Sequence, residues 1–172
     1  MTYKSIINKP KKLSKDAQKI VDIIESKKAG DLIQITATKN RDDVLGGAFH
    51  GGGEQTIDFA DLRVEESAGR GGFTVDSSVM HETIEAIEDR NSPCTIRPDA
   101  VVFSSFHSIA IEAENRVRRS QHLDPRTEGS DSAKKDSNGN LVITIDFTTH
   151  REIPTLDGMS GKITKAQVEK KQ

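Results

Sequence analysis

Two stretches of the chain carry apolar residues three and four positions apart, the spacing of helices that bury one face. This pattern predicts a helix over about residues 76–90, capped by Asp76 or Ser77. It predicts a longer helix over about residues 99–121. A third helix is predicted over residues 14–30, where a capping serine precedes the apolar positions.

Strict alternation of apolar and polar residues predicts strands over residues 31–38, 56–64 and 141–147. Residues 130–140 are polar and rich in turn-forming types, so a flexible segment is expected there. From residue 158 onward the apolar content is weak, which predicts a short helix or disorder. These elements predict an α+β fold in which about three helices pack on a small, mainly antiparallel sheet.

Five glycines fall within residues 46–53, which form either a glycine-rich loop or a glycine-spaced pair of strands. The segment lacks the Gly-Lys-Ser/Thr ending of a phosphate-binding loop. Its role is interpreted as a flexible connection, with an active-site flap that turns His50 toward a cleft as the alternative. His50, His122 and His150 lie in loop-like contexts and are otherwise expected at the surface.

The length of 172 residues fits one domain, placed at residues 14–157 between a basic flexible segment, 1–13, and a flexible lysine-rich tail, 158–172. Hydrophobic residues make up 33% of the chain and aromatic residues 4%, which gives a thin core of adequate size. No apolar run approaches the roughly 20 residues that a membrane span needs. The N-terminal stretch lacks the apolar region of a secretory signal, so we expect a cytoplasmic protein or one exported without a cleavable signal peptide.

Charge and cysteine content narrow the classes of partner. The single Cys94 excludes an intrachain disulfide and a multi-cysteine metal site. Residues 1–41 hold ten basic and four acidic residues, whereas residues 42–89 hold two basic and twelve acidic ones. The basic segment has no aromatic interleaving and no nucleic-acid motif, so nucleic acid is not expected as a partner. The acidic middle favours a divalent cation over a polyanion.

The candidate chemistry lies on the helix predicted over residues 76–90. His81 and Glu85 are four residues apart, so both side chains lie on one face and can ligate one metal ion. Glu82 occupies the position at which zinc peptidases of the His-Glu-x-x-His type carry their general base. Zinc in a hydrolase takes three protein ligands and leaves one position open for water. One further ligand is therefore required.

The longer helix is the natural source of that ligand. His107 and Glu114 are two turns apart on it and share a face with Ala110, whereas Glu112 projects from another side. Either Glu114 or His107 can complete the set. Without a metal, His107 is a core histidine, and Glu114 with Asn115 is a buried polar bracket between helices.

The basic residues of the longer helix have two readings. These residues are Arg116, Arg118 and Arg119. We interpret them as a solvent-exposed row on the helix, and the alternative is that they bind the substrate.

The run His81-Glu82-Thr83-Ile84-Glu85-Ala86 is followed by Glu114-Asn115-Arg116-Val117-Arg118 and then by Asp124-Pro125-Arg126. This arrangement resembles the zinc metallopeptidases that occur as type III secreted effectors and as toxin domains of bacterial polymorphic toxins. Those proteins pair a His-Glu-x-x-His helix with a later helix carrying Glu-Asn-x-x-Arg and a short Pro-Arg turn. The resemblance implies a zincin-like fold, a zinc ion and a protein or peptide substrate.

The chain departs from that family at one position, since Glu85 stands where the family has its second histidine. A carboxylate is an acceptable zinc ligand, but its negative charge favours harder ions such as manganese or calcium. The resemblance therefore leaves two functions open. One is a metal-dependent peptidase, and the other is a catalytically inactive pseudopeptidase that binds a protein target. A nucleic-acid-associated or virion protein, suggested by the lysine-rich first 28 residues, is disfavoured by the net charge of −2.

Overall fold

A computed structural model of the chain describes residues 33–41, 44, 46–69, 71–91, 100–129, 131–160 and 162–172. The helix predicted over residues 14–30, the segment 1–13 and Cys94 lie outside these ranges. The described residues form three helices and two small, mostly antiparallel sheets. The predicted α+β class is confirmed, with two sheets in place of one.

The helices are α1 (Phe59–Ser67), α2 (Val75–Asn91) and α3 (Ala100–Ser120). The strands are β1 (Gln34–Thr38), β2 (Gly47–Gly51), β3 (Glu54–Asp58), β4 (Ser132–Lys135), β5 (Leu141–Asp146), β6 (His150–Leu156) and β7 (Ile163–Lys170). The first sheet has the order β1-β3-β2, with β1 parallel and β2 antiparallel to β3. The second sheet has the order β4-β5-β6-β7 and is antiparallel throughout.

The glycine-rich segment forms a pair of strands, which was one of the two predicted arrangements. Gly52 and Gly53, with φ angles of +66° and +82°, turn the chain between β2 and β3. The backbone N–H of Gly53 donates a hydrogen bond to Oδ2 of Asp89 at 2.6 Å. The tip of this hairpin is therefore anchored to α2, and β2 runs along that helix.

The strand predicted over residues 56–64 is wrong beyond Asp58, where α1 begins. Oδ1 of Asp58 accepts hydrogen bonds from the backbone N–H groups of Ala60 at 2.8 Å and Asp61 at 3.4 Å. These bonds satisfy donors that a helix leaves unpaired in its first turn. Apolar and polar residues continue to alternate in the sequence after Asp58, so the start of the helix could not be recognised from that pattern.

The second sheet corrects two further predictions. Residues 132–135, expected to be flexible, form β4, and residues 163–170, expected to be a short helix or disordered, form β7. β7 pairs with β6 from His150↔Lys170 to Leu156↔Ile163. Both strands expose most of their side chains, so they are held by backbone hydrogen bonds and carry little apolar pattern.

The two long helices lie close to their predicted bounds and pack on each other. The cap of α2 is Thr74, in place of the predicted Asp76 or Ser77. Oγ1 of Thr74 accepts from the N–H of Ser77, and Oγ of Ser77 accepts from the N–H of Thr74, both at 3.2 Å. The buried contact between α2 and α3 is made by Met80, Ile84, Ile87, Ala110, Ala113 and Val117.

Arg118 is fully buried, so it is neither part of a solvated stripe nor a substrate clamp. Its guanidinium donates hydrogen bonds to the carbonyl oxygens of Gly71, Gly72 and Asp124. It also lies 4.0 Å from the centre of the Phe147 ring. One side chain of α3 thereby joins the turn before α2, the loop after α3 and the second sheet.

Replacing this side chain is expected to destabilise the fold strongly. Arg118→Met leaves three carbonyls without their donor, two of them buried, and we expect a loss of about 2–6 kcal/mol in the free energy of unfolding, at about 1–3 kcal/mol for each buried carbonyl. Urea denaturation measures the loss. The neighbouring Arg119 is exposed, so Arg119→Met should change the same quantity by less than about 0.5 kcal/mol. Equal effects of the two substitutions would contradict the role assigned to Arg118.

Candidate metal centre

Two adjacent turns of α2 and one turn of α3 bring three donor side chains together. His81 and Glu85 are buried, with 5% and 4% of their surface exposed, and His107 is half-buried. Nε2 of His81 lies 3.1 Å from Oε1 of Glu85 and 3.2 Å from Nδ1 of His107. Nδ1 of His107 lies 2.7 Å from the same Glu85 oxygen. The three donor atoms thus form a small triangle.

The size of this triangle suits a metal ion. Zinc binds nitrogen and oxygen donors at about 2.0–2.1 Å, so two donors of a tetrahedral site are about 3.3 Å apart. The observed separations of 2.7–3.2 Å come close to that value. A metal ion could therefore be held by His81, Glu85 and His107. Among the described residues, this is the group of histidine and carboxylate side chains close enough together to do so.

In the absence of a metal, protons link the three side chains. Burial alone would raise the pKa of Glu85, but the hydrogen bonds that His107 and His81 donate hold that pKa below its usual range, so this carboxylate is ionised. Each imidazole nitrogen has one in-plane position, for a proton or for a lone pair. A metal ion would displace the protons from Nε2 of His81 and Nδ1 of His107 and be held by the same three atoms.

The other nitrogen of His81 contacts a second carboxylate. Nδ1 of His81 lies 3.2 Å from Oε2 of Glu114, which is fully buried on α3 and also lies 3.3 Å from Nη1 of Arg126. Burial alone would lower the pKa of His81, but its contacts with Glu114 and Glu85 raise that pKa to about 9. A carboxylate behind a ligating imidazole orients the ring and raises its basicity.

The structure thus separates the two candidates for the third ligand. It brings His107 to the donor triangle and puts Glu114 behind the ring of His81. Asn115, next to Glu114, accepts from the N–H of Arg126 at 2.6 Å and donates to its carbonyl at 3.0 Å. Asn115 therefore forms a buried polar bracket, but it holds the loop that carries Arg126 and does not lie between helices, and Glu114 contacts side chains and not backbone.

Glu82 lies beside the triangle, under the backbone of β2. A Cβ atom on Gly47 would lie 2.1 Å from Cδ of Glu82, so the glycine lets this carboxylate lie directly against the strand. Nε2 of Gln55 donates a hydrogen bond to Oε2 of Glu82. Burial raises the pKa of Glu82 to about 7, with a further contribution from Glu85 and opposing ones from His81, Gln55 and Arg126.

A cavity of about 300 Å³ opens on these groups. His81, Glu82 and His107 line it together with Arg126. The second sheet and the first turns after β3 supply a largely apolar wall that includes Leu62, Phe73, Ile143, Ile145, Leu156 and Ile163. A site of this kind admits a small ligand or one side chain of a larger one.

Gln55 and Arg126 also belong to the site, although no pattern in the sequence assigned them to it. Gln55 is a fully buried amide in β3, and its polar type within a buried strand was the one available signal. Arg126 was noted as part of the Pro-Arg turn, but the sequence did not indicate which side chains it contacts. The remaining histidines do not reach the site: His50 and His122 are exposed, and His150 pairs with Asp124 at 2.8 Å.

No family model, curated protein or solved structure matches the chain. Within the described residues, no helix has the length and apolar character required to cross a bilayer.

Zinc binding is expected to depend on the triangle. Zinc titration should load the protein with close to one ion per chain. His81→Ala, Glu85→Gln and His107→Ala should each weaken binding by more than about 100-fold, beyond the effect typical of residues behind a ligand. Elemental analysis after dialysis and competition with a chromogenic chelator provide the measurements.

The matched control is His122→Asn, which removes an exposed imidazole and keeps a residue type that tolerates the local φ of +58°. It should bind zinc as the unsubstituted protein does. A protein that takes up no zinc on titration would rule out the metal centre.

Proposed function

We propose that the protein is a metal-dependent peptidase whose metal is held by His81, Glu85 and His107. The observation that carries this proposal is the donor triangle, with separations of 2.7–3.2 Å, at the edge of a cavity that Glu82 also lines. Two histidines and one glutamate are the donor set of several hydrolytic zinc enzymes. His81 and His107 also line the cavity, so water or substrate in the cavity would reach a metal ion held by the triangle.

The residues divide the chemistry between them. A bound zinc ion supplies Lewis acidity and lowers the pKa of a coordinated water toward neutrality. Glu82 accepts a proton on its carboxylate and returns it to the leaving amine, for which a pKa near 7 is well matched. Gln55 donates a hydrogen bond to Oε2 of Glu82, which leaves the other carboxylate oxygen for this proton. Glu114 orients His81 through Nδ1.

The substitution of glutamate for the family's second histidine fits this scheme. With Glu85 on α2 and His107 on α3, the set still comprises two imidazoles and one carboxylate. The net charge of the donors therefore equals that of a site with two histidines on the first helix and a glutamate on the second. Zinc is for this reason the preferred ion in the proposal, although other divalent cations suit the same donors.

Peptide bonds are proposed as the target because of the resemblance to effector and toxin zinc metallopeptidases in residues 81–126. A zincin-like arrangement is part of the same proposal. In its support, β2 runs beside the helix that carries His81 and Glu82, and Gly47 touches the Glu82 carboxylate. The substrate backbone would then approach Glu82 from the cavity side.

Glu82→Gln is expected to keep the metal and lose turnover. The amide cannot accept a proton, so hydrolysis of a peptide library by the zinc-loaded protein should fall by about 10²–10⁴-fold. Zinc affinity should stay within a few-fold of the unsubstituted value. Glu112→Gln, which changes a carboxylate with 64% of its side chain exposed, is the control and should leave turnover unchanged.

Two results would contradict the catalytic role. If the zinc-loaded protein cleaves no peptide while it binds metal firmly, the ion is structural. If it binds no metal at all, the alternative of an inactive protein-binding module is favoured.

Gly47→Ala is expected to lower turnover through Glu82 alone. The added methyl would overlap the Glu82 carboxylate, so either that side chain or β2 must move. We expect kcat to fall by at least about tenfold, as for a misplaced catalytic group. The zinc affinity should change little because no donor atom contacts Gly47. Unchanged kcat in a normally folded variant would show that Glu82 is not positioned by β2.

A further inference from the structure

The cavity beside the donor triangle contains a carboxylate that the proposed chemistry does not use. Glu65 lies one turn after Leu62 on α1, and both residues line the cavity. Only 8% of the surface of Glu65 is exposed. Within the described part of the chain, its side chain has no hydrogen bond or ion pair. A buried carboxylate with no partner is costly, so its presence in a cavity indicates a ligand.

The surroundings of Glu65 are acidic. Burial is the main cause that raises its pKa well above the usual range, and the carboxylates of Glu152, Asp61 and Glu82 add to the effect. Oε1 of Glu152 is itself buried without a partner among the described residues. The opposing cation is Arg126, whose guanidinium is bound to Glu114 and Asp131. The local field therefore favours a positively charged ligand.

The rest of the wall suits a hydrocarbon chain. Leu62, Phe73, Ile143, Ile145 and Leu156 line the same cavity. Lysine and arginine side chains bury their methylene groups on apolar surfaces and direct their charge to a polar partner. A purely apolar side chain would leave Glu65 unpaired. A metal ion does not fit either, because among the described residues the carboxylates around Glu65 are not close enough together to form a metal-binding group. An alkyl chain that ends in a cation satisfies both parts of the cavity.

We propose that this cavity binds the side chain of a lysine or arginine residue of the peptide substrate, with Glu65 as the partner of its cationic group. The inference rests on the proposed peptidase function, because His81, Glu82 and His107 line the same cavity. A side chain held there lies next to the bond that the site would cleave. Glu65 is thus a specificity-determining residue.

Binding of small probes tests the cavity apart from catalysis. Butylguanidinium and the neutral pentan-1-ol are titrated into the protein, with and without zinc, and followed by calorimetry. We expect the cation to bind at least about tenfold more tightly than the alcohol, as for a hydrogen bond to a buried charged group. Glu65→Gln should abolish this preference, because it should lower the affinity for butylguanidinium about 10- to 100-fold and leave the affinity for the alcohol unchanged. Glu65→Asp, which keeps the charge, should retain part of it.

Glu66→Gln is the matched control, since Glu66 is the next residue of α1, is exposed and makes one contact, with the N–H of Val75, that an amide can also make. It should bind both probes as the unsubstituted protein does. Thermal melting should show that Glu65→Gln is folded, because the amide has nearly the same volume as the carboxyl group and no hydrogen bond or ion pair among the described residues is lost.

The proposal is overturned if the alcohol binds as tightly as the cation or more tightly, or if neither probe binds. It is also overturned if the folded Glu65→Gln variant still prefers the cation. These outcomes do not depend on metal uptake or turnover. A failure of the peptidase proposal is seen in the zinc titration and the Glu82→Gln assay, and a failure of this inference is seen in the probe titrations.

Discussion

The ring of His81 lies between carboxylates at its two nitrogens, and the geometry of the candidate site depends on those two contacts. On one side it meets Glu114, and on the other it meets Glu85 and His107. Glu114 and His107 flank Ala110 on α3, where a fully buried alanine lets α2 approach closely. The alanines of α3 in this helix contact therefore help to position the imidazole of His81. Side chains with a larger volume at that contact would move the ring relative to its partners.

In the proposed metal site, a change in ligand position leaves the chemistry of the donor set unaltered. The sequence places a glutamate where the resembling peptidases have histidine, which taken alone suggests a weakened zinc site. The fold brings His107 from the other helix to the same point, so the three side chains that could hold a metal ion still offer two nitrogens and one oxygen. Glu114 is not needed as a donor and lies behind His81, paired with Arg126.

Much of the helical framework could be predicted from the sequence, whereas the cavity could not. The spacing of apolar residues located α2 and α3, and the four-residue spacing of His81 and Glu85 put both donors on one face. His107 and Glu114 share a face of α3, so the choice between them depends on how the helices cross, which spacing does not encode. β4 and β7 expose most of their side chains and therefore left no apolar pattern. Glu65 could not be assigned to the cavity because the start of α1 was predicted to be a strand. The apolar and polar residues alternate clearly there, and this pattern outweighed the helix cap at Asp58.

The strand β7 closes the wall that faces the helices, and it does so across a long distance in sequence. The N–H of Ile163 contacts Oδ1 of Asp61 at 3.3 Å, joining residues 102 positions apart. During synthesis the chain emerges from its N-terminal end, so α1, α2 and α3 leave the ribosome well before this strand. Contacts between such distant residues are also slow to form. Under the proposed function, a nascent chain would therefore present the donor side chains before its cavity is closed, and catalysis would wait until β7 has been synthesised and has paired with β6.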